Sequence, residues 1–243
     1  MGRTMLVGAA ACALLAGAHR AEAHSYGYLS PSASLPSPSA CLTHVNAEAP
    51  APASENRPQN AGENANTSGG GFEIDGASDA WETRRGSKTR TAARATGTTH
   101  RLIRWAACAW GLDERVTKAR AVEESFWDMD EVGDGGLSFG ILQVKPSVHK
   151  GTAPAVIDST SANLIYANAW QRACLDGDFT WLGSAYRTAF SAAWKSDATA
   201  TSKFRWGCVG AWFSGNWRDS GAISYISRVK THYSNQPWLQ SGW

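Results

Sequence analysis

The sequence has little net charge, no second long apolar run and no dense metal-ligand spacing, and each lack removes a class of function. Lys and Arg number 23 against 21 Asp and Glu, a formal +2, which is too mild to draw a chain to nucleic acid. Beyond the N-terminus no stretch stays apolar long enough to span a bilayer. The histidines are scattered and form neither H-x-x-x-H nor H-E-x-x-H, so no bound metal is expected. No phosphate loop or dinucleotide fingerprint occurs, so no organic cofactor is expected either. There is no internal repeat, which argues against a solenoid or propeller. Alternating strand patterns are few, which argues against an all-β fold.

What is present begins with an export signal. Arg3 supplies a positive end, Met5 to Ala18 is apolar, and Ala21-Glu22-Ala23 is a small-x-small cleavage site. Residues 1–23 therefore read as a signal peptide, and the mature chain as secreted, extracellular or cell-wall associated. Cys12, after Ala9-Ala10-Ala11, leaves a lipoprotein as the alternative. Cleavage would leave Cys41, Cys108, Cys174 and Cys208, an even set that suggests disulfides and allows three pairings. Cys174 with Cys208 is the first choice, since both lie in the compact region. Cys41 falls in expected linker, so its bond is the weaker inference.

His24 to Gly71 is rich in Pro, Ser, Ala, Asn and Gly and ends in Ser68-Gly69-Gly70-Gly71. Such a segment has little apolar surface to offset its ordering entropy. Trp81 to Thr99 is basic and rich in Thr and Ala, and reads as linker or a marginal first helix. Residues 24–99 are thus expected as a disordered linker and 100–243 as the folded domain. Eleven of the 12 tryptophans lie after residue 100, which places the core there. Helices are expected over Leu102 to Trp110, Asp113 to Trp127, Ser161 to Leu175, Trp181 to Trp194 and Ala222 to Tyr233, with Asp113 as an N-cap and Gly133 to Gly136 as a turn.

The stretch Ala119 to Val144 carries the chemistry. Glu124-Ser125 closes a helix, a Gly-rich loop follows, and then comes Gly140-Ile141-Leu142-Gln143. Further on are Asn163-Leu164 with Ala167 and Trp170, then Ala211-Trp212-Phe213-Ser214-Gly215, then Tyr225-Ile226 with Val229. In order and spacing this set, from Asp113 to Val229, resembles the lytic transglycosylases of the lysozyme superfamily. The resemblance implies a lysozyme-like α+β fold dominated by helices. It also implies cleavage of peptidoglycan glycan strands between N-acetylmuramic acid and N-acetylglucosamine, by a monomer without metal or cofactor. Carried over residue by residue, Glu124 is the catalytic acid and then base, and Tyr225 hydrogen-bonds it. Ser138, Gln143, Trp212 and Ser214 are cleft residues. Phe213 departs from the pattern, standing where the family usually has Asn.

Such chemistry needs a carboxylic acid that is still protonated near neutral pH, hence an apolar surrounding. Phe126, Trp127, Phe139 and Trp212 are candidate sources. A helix of regular period puts Glu123 nearer the apolar stripe than Glu124, while the Glu-Ser motif selects Glu124. Ser125 either holds the acid or caps the helix. Asn163 reads as structural, bonding backbone near a helix start. Most glycosidases use two carboxylates, and Asp128, Asp130, Glu131 and Asp134 follow closely. A hydrolytic lysozyme-type muramidase or chitinase-like glycosidase is therefore the nearer alternative, and an inactive secreted wall-binding protein the farther one.

Overall fold

The structure is a computed structural model that describes residues 27–47, 57–195, 197–240 and 243. Residues 1–23, expected as a signal peptide with Cys12, lie outside the described residues, as do residues 24–26 and 48–56 of the expected linker. Helices dominate. In chain order they are α1 (Pro38–Ala47), α2 (Ala61–Ala65), α3 (Asp79–Arg85), α4 (Ser87–Ala92), α5 (Thr99–Ala109), α6 (Glu114–Ser125), α7 (Ala155–Asp158), α8 (Thr160–Leu175), α9 (Ser184–Ala193), α10 (Ala198–Ser214) and α11 (Ser220–Asn235). Between α6 and α7 stands one small antiparallel hairpin, β1 (Val132–Gly133) and β2 (Ser138–Phe139), with Val132 opposite Phe139. Among the described residues no helix is long and apolar enough to cross a membrane.

Helix α8 is the axis of the fold. Every one of its residues is buried, and α2, α4, α5, α7 and α10 all pack on it. It starts at Ser159, whose hydroxyl accepts from the Ala162 N–H. Helix α6 starts at Asp113, whose carboxylate accepts from the N–H groups of Arg115 and Val116 at 2.9 and 3.2 Å, the cap expected from sequence. Helix α6 packs against α5 and α11. Its buried face includes charge as well as Val116, Ala119 and Val122. Glu114, fully buried, pairs with Arg104 and Lys118 at 3.1 Å each.

Residues 57–99 are not linker. Together with α1 they form part of the same core. Phe72, Ile74 and Trp81 are buried, Trp81 stacks on Trp110 with ring centroids 5.9 Å apart, and Cys41 is bonded to Cys108. The second disulfide is Cys174–Cys208, the pair chosen first from sequence. The segment folds despite its composition because its few large apolar side chains are all used and several of its polar ones are paired inside. Asn60 donates to Thr99 Oγ1 and to the Trp127 carbonyl at 2.9 and 2.7 Å, and accepts from the Met129 N–H at 2.9 Å. Trp81 Nε1 donates to Asp176 at 2.8 Å, and Arg85 pairs with the same carboxylate at 2.6 Å.

Helix α10 was not expected either. Gly207 and Gly210 lower its intrinsic propensity, roughly 1 kcal/mol each against Ala. They are needed for close approach. A Cβ on Gly207 would come within 2.2 Å of the Trp217 ring, and one on Gly210 within 2.9 Å of the Ala222 carbonyl. The glycines let α11 and Trp217 lie directly on α10, and that packing outweighs the local preference.

Candidate active site

Helix α6 ends abruptly. Phe126 and Trp127 both take left-handed backbone angles, φ 52° and 65°, and their N–H groups close on the carbonyls of Val122 and Ala121 at 3.0 and 3.2 Å. Ser125 donates to the carbonyls of Ala121 and Ile141, at 3.3 and 3.0 Å. It therefore tethers the helix end to the Gly140 to Gln143 segment and does not hold the acid. On the other side Arg57 Nε donates to the Phe126 carbonyl at 3.0 Å, and Asn60 grips the next residues. Three parts of the chain fix the last turn, and with it Glu124.

Glu124 opens on a cleft of about 470 Å³. Ser138, Gln143, Trp212 and Ser214 line the same cleft. Tyr225 does not; it is 1% exposed and donates its O–H to Glu124 Oε1 at 2.5 Å. Burial pushes the Glu124 carboxyl up to about 7, against the opposing pull of the Tyr225 hydrogen bond, the Arg120 charge and the Trp212 side chain. The Tyr225 hydroxyl, raised well above its ordinary range by burial first and by Glu124 second, remains a donor. Glu123 points elsewhere. It bonds Arg228, and His232 at 3.2 Å, and does not line the cleft. Periodicity misled at this step because α6 is buried on more than one face.

Three of the four expected desolvating rings are also elsewhere. Trp127 is buried in a second aromatic group, stacked on His100 and Trp238, and Phe126 is 63% exposed; neither lines the cleft, nor does Phe139. Trp212 does, and three neighbours fix it. His149 stacks on it at 5.1 Å and 4°, Trp170 meets it edge-on at 5.3 Å, and the Arg120 guanidinium lies 5.3 Å from its centroid. Arg120 is fully buried and donates to Gln171 of α8. Its charge bears on both Glu124 and Tyr225. Phe213, the residue that departs from the family pattern, stacks on Tyr225 at 4.9 Å and 8°. Trp217, by contrast, packs against Tyr186 and Phe204.

The polar lining divides by role. Ser138 donates to Asp134 at 2.9 Å, and Lys145 Nζ reaches the same oxygen at 3.2 Å. These two bonds hold the Asp134 carboxyl below its usual range. The Gln143 amide donates to the carbonyls of Glu131 and Gly140 at 3.0 and 2.9 Å, so it braces the hairpin while bordering the cleft. Ser214 Oγ turns to Asn216, accepting from its N–H at 3.1 Å. Asn163 is structural as expected. It accepts from the Leu142 N–H at 2.9 Å and donates to the carbonyls of Phe139 and Val156 at 2.8 and 2.9 Å.

Sequence reasoning missed Asp75, His149, Lys145 and Trp181 as lining residues. Asp75 comes from the segment read as linker, and nothing in its local pattern marks it. His149 is kept neutral by burial, which lowers it to about 4. Among the described residues no group of three or more His, Cys, Asp or Glu side chains is placed to hold a metal ion. The arrangement offers one carboxyl able to give and regain a proton near neutrality, and one carboxylate held ionised. Compared with protein-family models, curated proteins and solved structures, the chain matches none of them.

Proposed function

We propose that this protein is a secreted enzyme of lysozyme-like fold that cleaves peptidoglycan glycan strands as a lytic transglycosylase. One observation carries the reading: the Glu124 carboxyl, at about 7, faces an aromatic-walled cleft and is held there by Tyr225. Secretion is supported by the two disulfides, which persist in oxidising compartments, and by the leader-like sequence of residues 1–23.

In this mechanism protonated Glu124 gives its proton to the glycosidic oxygen as the C1–O bond breaks. The acetamido oxygen of the substrate bonds to C1 and carries the positive charge. The carboxylate thus formed takes the proton of the sugar's 6-hydroxyl, whose oxygen displaces the acetamido oxygen at C1. A 1,6-anhydro end results, and Glu124 is again protonated. Tyr225 fixes the carboxyl through both transfers, and Arg120 opposes the desolvation enough that the base step remains accessible near pH 7. Trp212 offers a flat ring to a sugar face.

Asp134 gives a specific reason for a second reading. It lies in the same cleft and is held ionised by Ser138 and Lys145, so it could activate water in a hydrolytic, lysozyme-type reaction. Mass spectrometry of muropeptides released from purified wall distinguishes the two. Transglycosylation gives fragments lighter by one water than the reducing ends that hydrolysis leaves, and Asp134→Asn would leave that product type unchanged. Release of reducing ends only would replace the first reading by the second. Wall binding without release of either would support a non-catalytic role.

A further inference from the structure

The cleft wall carries an exposed tryptophan that the mechanism above does not use. Trp181 is 49% exposed although its ring packs against Phe179 at 5.3 Å. Phe179 in turn meets Trp170 at 4.6 Å, and Trp170 meets Trp212, so a continuous row of rings runs from the carboxyl to this indole. Its Nε1 donates to the Gly76 carbonyl at 3.1 Å. Gly76 sits at φ 79° in the tight turn Ile74 to Ala77, closed by an N–H to carbonyl bond of 2.9 Å. A side chain there would strike the indole, since a Cβ would lie 2.7 Å from Trp181 Nε1. Ser78 anchors the turn, its N–H and Oγ donating to Asp178 at 2.6 and 2.7 Å.

This turn puts Asp75 into the cleft beside the ring. Its carboxylate is half exposed, with Oδ2 4.0 Å from His149 Nδ1. That nitrogen is buried and has no hydrogen-bond partner. An immobilised, half-exposed indole next to a carboxylate is a saccharide-binding pair: the apolar face of a pyranose stacks on the ring, and its O–H or amide N–H groups donate to the carboxylate. Lys150 acts on this carboxyl as a counter-charge, so its part toward a sugar is to accept hydrogen bonds.

We propose that Trp181 and the Asp75–Gly76 turn form a saccharide subsite in the cleft that Glu124 lines, where an N-acetylhexosamine ring stacks on the indole and donates to the Asp75 carboxylate. The inference rests on the glycan-cleaving reading and deepens it. The segment before residue 100 then supplies part of the substrate grip as well as part of the core.

The test uses the full chain with Glu124→Gln to stop turnover, and calorimetric titration with β-1,4-linked N-acetylglucosamine oligomers from dimer to hexamer. Affinity should rise with length. Adding Trp181→Ala should reduce the hexamer-to-dimer affinity ratio about tenfold, the equivalent of about 1.4 kcal/mol, and Asp75→Asn should reduce it severalfold. The Asp75 variant changes only an exposed side-chain group and so guards against misfolding of the Trp181 variant. Cleavage of purified wall by the unmodified chain is measured alongside. Cleavage together with an unchanged ratio in both variants would overturn the subsite alone. Absence of both cleavage and oligomer binding would overturn the subsite and the glycan reading together.

Discussion

Replacing Glu124 by Gln is expected to lower the rate of glycan cleavage by roughly 10²–10⁴-fold, the usual contribution of a positioned acid, while making the protein more stable in mild alkali. The two effects have one origin. Burial raises the carboxyl from its ordinary 4.5 to about 7. A group raised on folding contributes its stability fully below the unfolded value and loses it as pH rises through the folded value. Wild type should therefore weaken progressively between about pH 4.5 and 7 relative to the Gln variant, which carries no charge to desolvate. A shift of this size corresponds to about 3 kcal/mol at most, and access to cleft water should reduce it to about 1–2 kcal/mol. Chemical denaturation of both proteins at pH 4 and pH 8 measures the difference. Cleavage by wild type should also fall as pH rises through about 7, because the donor is lost. A Gln variant that cleaves at the wild-type rate, or gains nothing at pH 8, would separate Glu124 from the chemistry.

A chain cut to residues 100–243 is expected not to fold. This is the second large effect, and it follows from what residues 27–99 contribute. Without them Trp110 loses its stack with Trp81, Cys108 loses its disulfide, and the loop after Glu124 loses the bonds from Arg57 and Asn60. Burying a large apolar side chain contributes about 1.5–3 kcal/mol and a disulfide typically about 2–4 kcal/mol. Phe72, Ile74, Trp81 and the Cys41–Cys108 bond are thus comparable with the whole stability of a typical domain, about 5–15 kcal/mol. Thermal melting by circular dichroism should show no cooperative transition for the shortened chain. A sharp melt with wild-type cleavage would restore the linker reading of residues 24–99.

That misreading is instructive because the decisive residues were in plain view. Averaged over residues 24–99 the composition is polar and small, and averages hide Val45, Phe72, Ile74 and Trp81, large apolar side chains that are all buried. They also hide Asn60 and Asn64, buried polar side chains whose amides both donate to Thr99 Oγ1, at 2.9 and 3.1 Å. Buried polar bonding of that kind leaves no periodic trace. The same limit explains Glu123 and Glu124. Helix α6 buries Glu114, Lys118 and Arg120 along with its apolar residues, so hydrophobic spacing alone could not orient its last turn. The ordered short motifs named side chains from different elements, and two of these, Glu124 of α6 and Tyr225 of α11, do meet. Asp113 as cap was legible for a local reason, its bonds to the N–H groups two and three residues on. Asp75 was not, since its place in the cleft depends on a turn anchored to Asp178 and Trp181, far along the chain.

The central claim concerns the protonation of one side chain, and it can be measured without substrate. Carbon-13 NMR titration of the side-chain carboxyls, with Glu124→Gln identifying the resonance that disappears, reads it directly. The Glu124 signal should titrate with a midpoint near 7. A midpoint near the ordinary 4.5 would mean that the carboxyl is ionised at neutral pH and has no proton to give.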